Sequence, residues 1–169
     1  IPPYWAERGD YDLLLDDPQA SEQELADFHQ AGGNAIYDAT APDYGRQVVA
    51  VAEMAKRQQV HIIATAGFNK GFLWSSKRPG STQSFAEWIE GASIDELVEH
   101  VSREVTEGIE GSDYRAGVVK CGTGYNTISP LERKTMEVIV RAQLCTGAPM
   151  HSHTEMGTMG LEQAQIFQG

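Results

Sequence analysis

Cysteine is scarce in this sequence: two in 169 residues, Cys121 and Cys145. They form no Cys-x-x-Cys pair, so a disulfide framework is not expected and a reducing, cytoplasmic setting is. Basic residues are also few, 13 Lys and Arg against 24 Asp and Glu, for a net charge of −11. That balance argues against nucleic acid or an anionic membrane surface as partner, because both select basic faces. No apolar run approaches the ~18 residues that would cross a bilayer. Repeats and low-complexity tracts are absent, and no glycine-rich dinucleotide fingerprint follows any predicted strand.

What is present suits a packed domain. Hydrophobic residues make up 41% and charged residues 22%, enough for a sizeable core in one domain of ordinary length. The opening stretch to Gln19 has three prolines and no period, and reads as a loop. Ser21 with Glu24 reads as a capping box that starts a helix, with Leu25 and Phe28 on one face and Gly32-Gly33 as the stop. Residues 34–40 read as a strand. Val48, Val51, Ala52 and Ala55 follow helical spacing within 45–58. Residues 60–67 read as an apolar strand, followed by a loop from Phe68 to about Ser84. Ser93 with Glu96 caps a helix whose face is Ile94, Leu97, Val98, Val101 and Val105. "AGVVKCG" is the next strand. Ser129-Pro130-Leu131-Glu132 then opens a helix that runs to Thr146-Gly147. "APMHSHT" is a further strand, and a last helix covers 161–168. Buried strands alternating with amphipathic helices predict an α/β fold with a parallel sheet. Four such units make half of a (β/α)8 TIM barrel, which needs roughly 250 residues. An open doubly wound sheet is the alternative.

Reactive groups in parallel βα folds sit at the C-terminal ends of strands. Two ends are chemically loaded. One carries Lys120, an ammonium at the end of an apolar strand. A buried lysine can form a Schiff base, act as a base or pair with a carboxylate. Desolvation favours the neutral amine, which can also add carbon dioxide and become a carbamate with two oxygens for metal ions. The other end carries His151 and His153 in "PMHSHTEMG". Residues i and i+2 of a strand share a face, about 6–7 Å apart. Both can reach one metal site, or they can be hydrogen-bonded histidines of the core. Asp38 reads as structural, a carboxylate placed to bond loop amides. His61, at the start of its strand, lies at the far end from the chemistry.

Several stretches resemble the phosphotriesterase family of the amidohydrolase superfamily, the phosphotriesterase-like lactonases included. "DATAPDYGRQVVAVAEMAKRQQVHIIATAGF" is similar to the family's second and third βα units, with Asp43-Tyr44-Gly45-Arg46 at the helix start. "EGIEGSDYRAGVVKCGTGYNTISPLERK" is similar to the fourth strand and its approach. "AQLCTGAPMHSHTEMGTMGLEQAQIF" is similar to the fifth strand and following helix. The resemblance implies that residues 1–169 hold βα units two to five of the barrel. Strand one and strands six to eight, with the family's remaining metal ligands and proton acceptor, then lie outside this sequence. It places Lys120 where the family carries the carboxylated lysine that bridges two metals. His153 falls on the metal-ligating histidine of strand five. His151 falls two residues earlier, often threonine or serine in the family, and reads as a residue that supports a metal ligand or touches substrate, not as a ligand itself.

The implied protein is a binuclear metal-dependent hydrolase in which a hydroxide held by the metals attacks the substrate. The implied cofactors are two divalent ions, zinc first among them, and a carbamate derived from carbon dioxide on Lys120. Loops at Phe68-Asn69-Lys70 and Gly122 to Asn126 would hold a small-molecule substrate, with Phe68, Lys70 and Tyr125 as its candidate contacts. The loop "GFNKGFLWSSKRPGS" concentrates Lys70, Lys77 and Arg78 in an acidic chain. That favours a lactone, a sugar or phosphorylated sugar lactone, over a neutral phosphotriester. The alternatives are a phosphotriester hydrolase or a non-catalytic barrel relative that binds a ligand. A homodimer is compatible with either.

Overall fold

The structure, a computed structural model, describes residues 17–168. Helix α1 spans Pro18–Gln30 and strand β1 Ala35–Tyr37. Helix α2 spans Val48–Gln58 and β2 His61–Gly67. Two helices follow, α3 at Phe85–Gly91 and α4 at Ile94–Thr106. Strand β3 is Ala116–Thr123, α5 Pro130–Thr146, β4 Met150–Thr154 and α6 Gly160–Gln168. Most of the expected loop at 1–19 lies outside the described residues. Its last two residues are already helical, which corrects the expected start at Ser21. Asp17 is the cap, accepting from the backbone N–H of Gln19 at 2.8 Å and of Ala20 at 3.2 Å. Pro18 follows at the first helical position. An Asp cap joined to a proline that has no N–H to lose starts the helix before Ser21 can.

All four strands are parallel, in the order β1-β2-β3-β4. A doubly wound sheet reverses its strand order at a switch point; this one does not. With right-handed crossovers, each strand added on the same side places its helix on the same face of the sheet. The result is half of a (β/α)8 barrel, as the alternation predicted. The expected caps at Ser93 and Ser129 are both complete capping boxes. Leu97, Val98 and Val101 of α4 are buried, and Ile94 and Val105 pack against that core.

Helix α3 was not expected. It is capped by a further box, Ser84 with Glu87, and buries Phe85 and Ile89. It covers an aromatic cluster in which Phe68 meets Trp74 edge-on at 6.3 Å and Trp88 at 5.8 Å between ring centroids.

The sheet's two faces determine where Lys120 points. Val119 and Cys121 belong to the hydrophobic core, together with Met136, Ile139 and Ala142 of α5. Side chains alternate along a strand, so Lys120 projects from the face away from the helices. Its strand is locked to β2 by a close contact. At Gly67 (φ +103°) an added Cβ would stand 2.4 Å from the Lys120 carbonyl oxygen, and the next N–H, of Phe68, donates to that oxygen at 2.9 Å.

Candidate active site

A cavity of about 240 Å³ opens at the C-terminal end of the sheet. The segment after β1 lines it with Ala39, Thr40 and Tyr44, and the segment after β2 with Asn69, Lys70 and Leu73. Lys120 enters from β3 and His153 from β4. Three residues singled out from sequence, Lys70, Lys120 and His153, therefore meet in one place.

Lys120 is buried, 5% exposed. Its Nζ donates to the Ala39 carbonyl at 2.6 Å. Burial pulls its pKa below the ordinary lysine value, against the opposing pull of Asp43 and Asp38. In the sheet Lys120 pairs with Gly67 on one side and His151 on the other. His151 packs its ring against Tyr37, 5.3 Å between centroids. Burial holds it below the usual histidine range, helped by the charges of Lys120 and His153. The two histidines are thus electrostatic neighbours, but only His153 lines the cavity.

The Nε2 of His153 lies 2.7 Å from Glu155 Oε2. Its Nδ1 has no hydrogen-bond partner among the described residues. Glu155 also pairs with Lys70, and these two partners hold its carboxyl below the usual range. Glu155 thus ties the loop after β2 to the end of β4, across the end of β3. Gly122 makes that crossing possible: a Cβ there would meet the Asn69 carbonyl oxygen at 2.7 Å and His153 Cβ at 2.9 Å.

Two buried carboxylates fix the loops. Glu132, 2% exposed, accepts from the backbone N–H groups of Ser129, Gly71 and Gly124 at 2.7, 3.0 and 3.0 Å. One capping-box side chain therefore organises the loops after both β2 and β3. Asp43, 5% exposed, accepts from Asn69 N with both oxygens, at 3.0 and 2.9 Å, and from Trp74 Nε1 at 2.7 Å. Burial outweighs these hydrogen bonds and pushes its carboxyl up to about 6. Between its ordinary value of 3.8 and about 6, the folded state binds more protons than the unfolded. The stability Asp43 contributes in its neutral form is thus lost as pH rises through that window. An Asp43→Asn variant cannot ionise and should gain stability relative to the parent from about pH 4 to about pH 7. Urea midpoints of the two proteins at both pH values test this; a constant difference would refute it.

The remaining sequence candidates lie elsewhere. Phe68 is 1% exposed, in the aromatic core and outside the cavity lining. Tyr125 is 61% exposed on the loop after β3 and also lies off the lining. Of the three loop cations only Lys70 reaches the cavity. Arg78 stacks on Trp88, 3.9 Å from the ring centroid, and Lys77 bridges to Ser84. Asp38 accepts from Thr40 N at 3.0 Å, the structural role expected of it, and His61 is exposed at the opposite strand end. Glu155 and Thr40 had no sequence signal of their own. They depend on which loops converge, and only the assembled sheet shows that.

The profile of the phosphotriesterase family matches residues 13–169. The chain belongs to the phosphotriesterase family. Among relatives, a phospho-furanose lactonase of Mycoplasmopsis agalactiae is 31% identical over 94% of this chain and 46% of its own length. Among solved structures, the lactonase Lmo2620 of Listeria monocytogenes is 50% identical with a TM-score of 0.92, over 99% of this chain and 53% of that one. The phosphotriesterase homology protein of Escherichia coli, solved with phosphate in its active site, is 27% identical with a TM-score of 0.82, over 91% and 50%. The chain spans about half the length of the relatives it matches. No helix among the described residues is long and apolar enough to cross a membrane.

The family's metal centre can be tested against the residues here. Lys120, with its lowered pKa, and His153, with an open Nδ1, line the same cavity. An amine that can become an anionic carbamate and a free imidazole nitrogen suit divalent N/O coordination. Among the described residues no group of three or more His, Cys, Asp or Glu forms a closed cation site. The two residues fit as part of such a centre.

Proposed function

We propose that this chain supplies part of the active site of a metal-dependent lactone hydrolase that acts on sugar lactones, phosphorylated ones included. One observation carries the reading: Lys120 and His153, from adjacent strand ends, share a single cavity with the cation Lys70. The names of the Mycoplasmopsis and Listeria relatives support the lactone. The phosphate in the Escherichia coli relative's active site supports a phosphorylated substrate.

Each residue then has a task. The neutral amine of Lys120 adds to the carbon of carbon dioxide. A C–N bond forms, one C=O π bond opens, and one proton leaves the nitrogen to solvent, so a neutral amine becomes an anion with two oxygens. That carbamate and His153 Nδ1 would hold the metal ions, which supply Lewis acidity and lower the pKa of water toward ~7. Glu155, on the other ring nitrogen, fixes the orientation and tautomer of His153, as carboxylate partners do for ligating histidines. Lys70 faces the incoming substrate and exchanges its Glu155 partner for an anionic group on the substrate by a charge-assisted hydrogen bond.

Lys70 gives the test of the substrate. A hydrogen bond to a charged group contributes about 1.5–3 kcal/mol. Lys70→Ala in the full-length protein should therefore lower kcat/KM for a phosphorylated sugar lactone by ~10- to 100-fold more than for the unphosphorylated lactone. An equal loss on both would reject the phosphate assignment, and faster turnover of neutral phosphotriesters throughout would reject the lactone.

A further inference from the structure

Helix α6 packs Ile166 and Phe167 against the hydrophobic core, but Gln163, 2% exposed, spends its whole side chain on hydrogen bonds. Its Nε2 donates to Thr123 Oγ1 at 2.6 Å and to the His153 carbonyl at 3.0 Å. Its Oε1 accepts from Ser152 Oγ at 2.5 Å. Thr123 is the last residue of β3, and Ser152 and His153 are consecutive in β4. Side chains alternate along a strand, so Thr123 and Ser152 face the helices with Cys121, while His153 faces the cavity. Gln163 thus holds, from behind, the backbone of the residue whose imidazole lines the cavity. The grip sits where the chain leaves the sheet. Strand β4 ends at Thr154, and Met156 and Met159 follow at φ +51° and +63°, left-handed backbone that is unfavourable for any side chain. Such conformations persist when their surroundings fix them. Gln163 binds both ends of this turn: its side chain holds His153 and its N–H donates to the Met159 carbonyl at 2.9 Å.

We propose that Gln163 is a positioning residue for the metal centre, fixing the His153 backbone while Glu155 fixes the ring. The proposal rests on the metal-centre reading above and extends it to a residue that lies off the cavity lining and acts through His153. The chemistry favours this over packing alone. Replacing hydrogen-bonded partners by hydrocarbon of the same shape can be nearly neutral for stability, so an anchor that only had to hold α6 on the sheet could be apolar. A metal site needs its ligands held to about 0.5 Å, and directed bonds from a fully satisfied buried network supply that.

The experiment uses the full-length protein loaded with zinc in bicarbonate buffer. Zinc affinity is read by competition with a chelator. Stability is read by urea unfolding after zinc removal, so that bound metal does not contribute. Gln163→Met keeps the length of the side chain and removes its hydrogen bonds. It should weaken zinc binding by ~10- to 100-fold, the usual effect of removing a group that orients a ligand. It should also lower the urea midpoint, because Thr123, Ser152 and His153 lose a partner. A triple variant, Gln163→Met with Thr123→Val and Ser152→Ala, removes the two abandoned hydroxyls. Its urea midpoint should return toward the parent's while its zinc affinity stays low, and it carries the comparison if the single variant does not fold. Zinc affinity that recovers together with stability, or parental affinity in either variant, would overturn the proposal and leave the metal-centre reading intact. A parent protein that binds no divalent ion would overturn the metal-centre reading itself, before any variant is made.

Discussion

A Lys120→Ala variant of the full-length protein should lose more than ~100-fold in kcat/KM on lactones, together with most of its bound metal. Removing a residue that merely orients a metal ligand typically costs 10- to 100-fold, and Lys120 in the proposed role is a ligand itself. The structure supplies the conditions that role needs. Burial favours the neutral amine, the only form that can take up carbon dioxide. Among the described residues, the Nζ has the Ala39 carbonyl at 2.6 Å as its one hydrogen-bond partner, with no carboxylate in contact to keep it an ammonium. A short-chain carboxylate diffusing into the space left by the alanine should restore part of both the metal and the activity, since it returns two oxygens at the same place. Lys120→Met, similar in length and unable to form a carbamate, should behave like the alanine variant without rescue. Full metal content and parental turnover in Lys120→Ala would end the proposal. So would density for a bare ammonium beside two fully occupied metals.

The sequence revealed elements more readily than the contacts between them. Capping boxes at Ser93 and Ser129 are local patterns, and both formed. The alternation of buried strands and amphipathic helices led to the parallel sheet and, without a nucleotide fingerprint, to the barrel. Ser21 and Glu24 have the spacing of a capping box, but Asp17-Pro18 just before them is the stronger helix start. Helix α3 went unseen because its seven residues are too few to show a period. The site divided in the same way. Lys120 and His153 were legible because strand ends can be placed from the strands alone. Phe68 was misplaced because an aromatic residue beside a strand end can turn toward substrate or into the core, and the distant Trp74 and Trp88 decide which. Asp43 and the Lys70–Glu155 pair act through partners 26 or more residues away, and no spacing rule encodes that.

Arg46→Ala should produce the largest loss of stability, about 3–5 kcal/mol. Its side chain is 2% exposed and that of its main partner, Glu104, 5%. The guanidinium makes a two-pronged pair with Glu104, at 2.9 and 2.6 Å. It also donates to the Thr65 carbonyl of β2 at 2.6 Å and to Glu110 at 2.8 Å. One side chain thus joins the segment after β1, strand β2, helix α4 and the turn before β3. The alanine variant would leave Glu104 ionised and buried without its cation, and the Thr65 oxygen without its donor. Most of the cost comes from these abandoned groups, because the pair itself roughly balances attraction against desolvation. That account predicts the double variant. Arg46→Met with Glu104→Leu removes both charges and keeps much of the volume, so it should be more stable than Arg46→Ala alone. Urea unfolding of the three proteins decides between the possibilities. A double variant as unstable as the single one would mean that the hydrogen bonds to Thr65 and Glu110, and not the burial of charge, hold this corner of the barrel together.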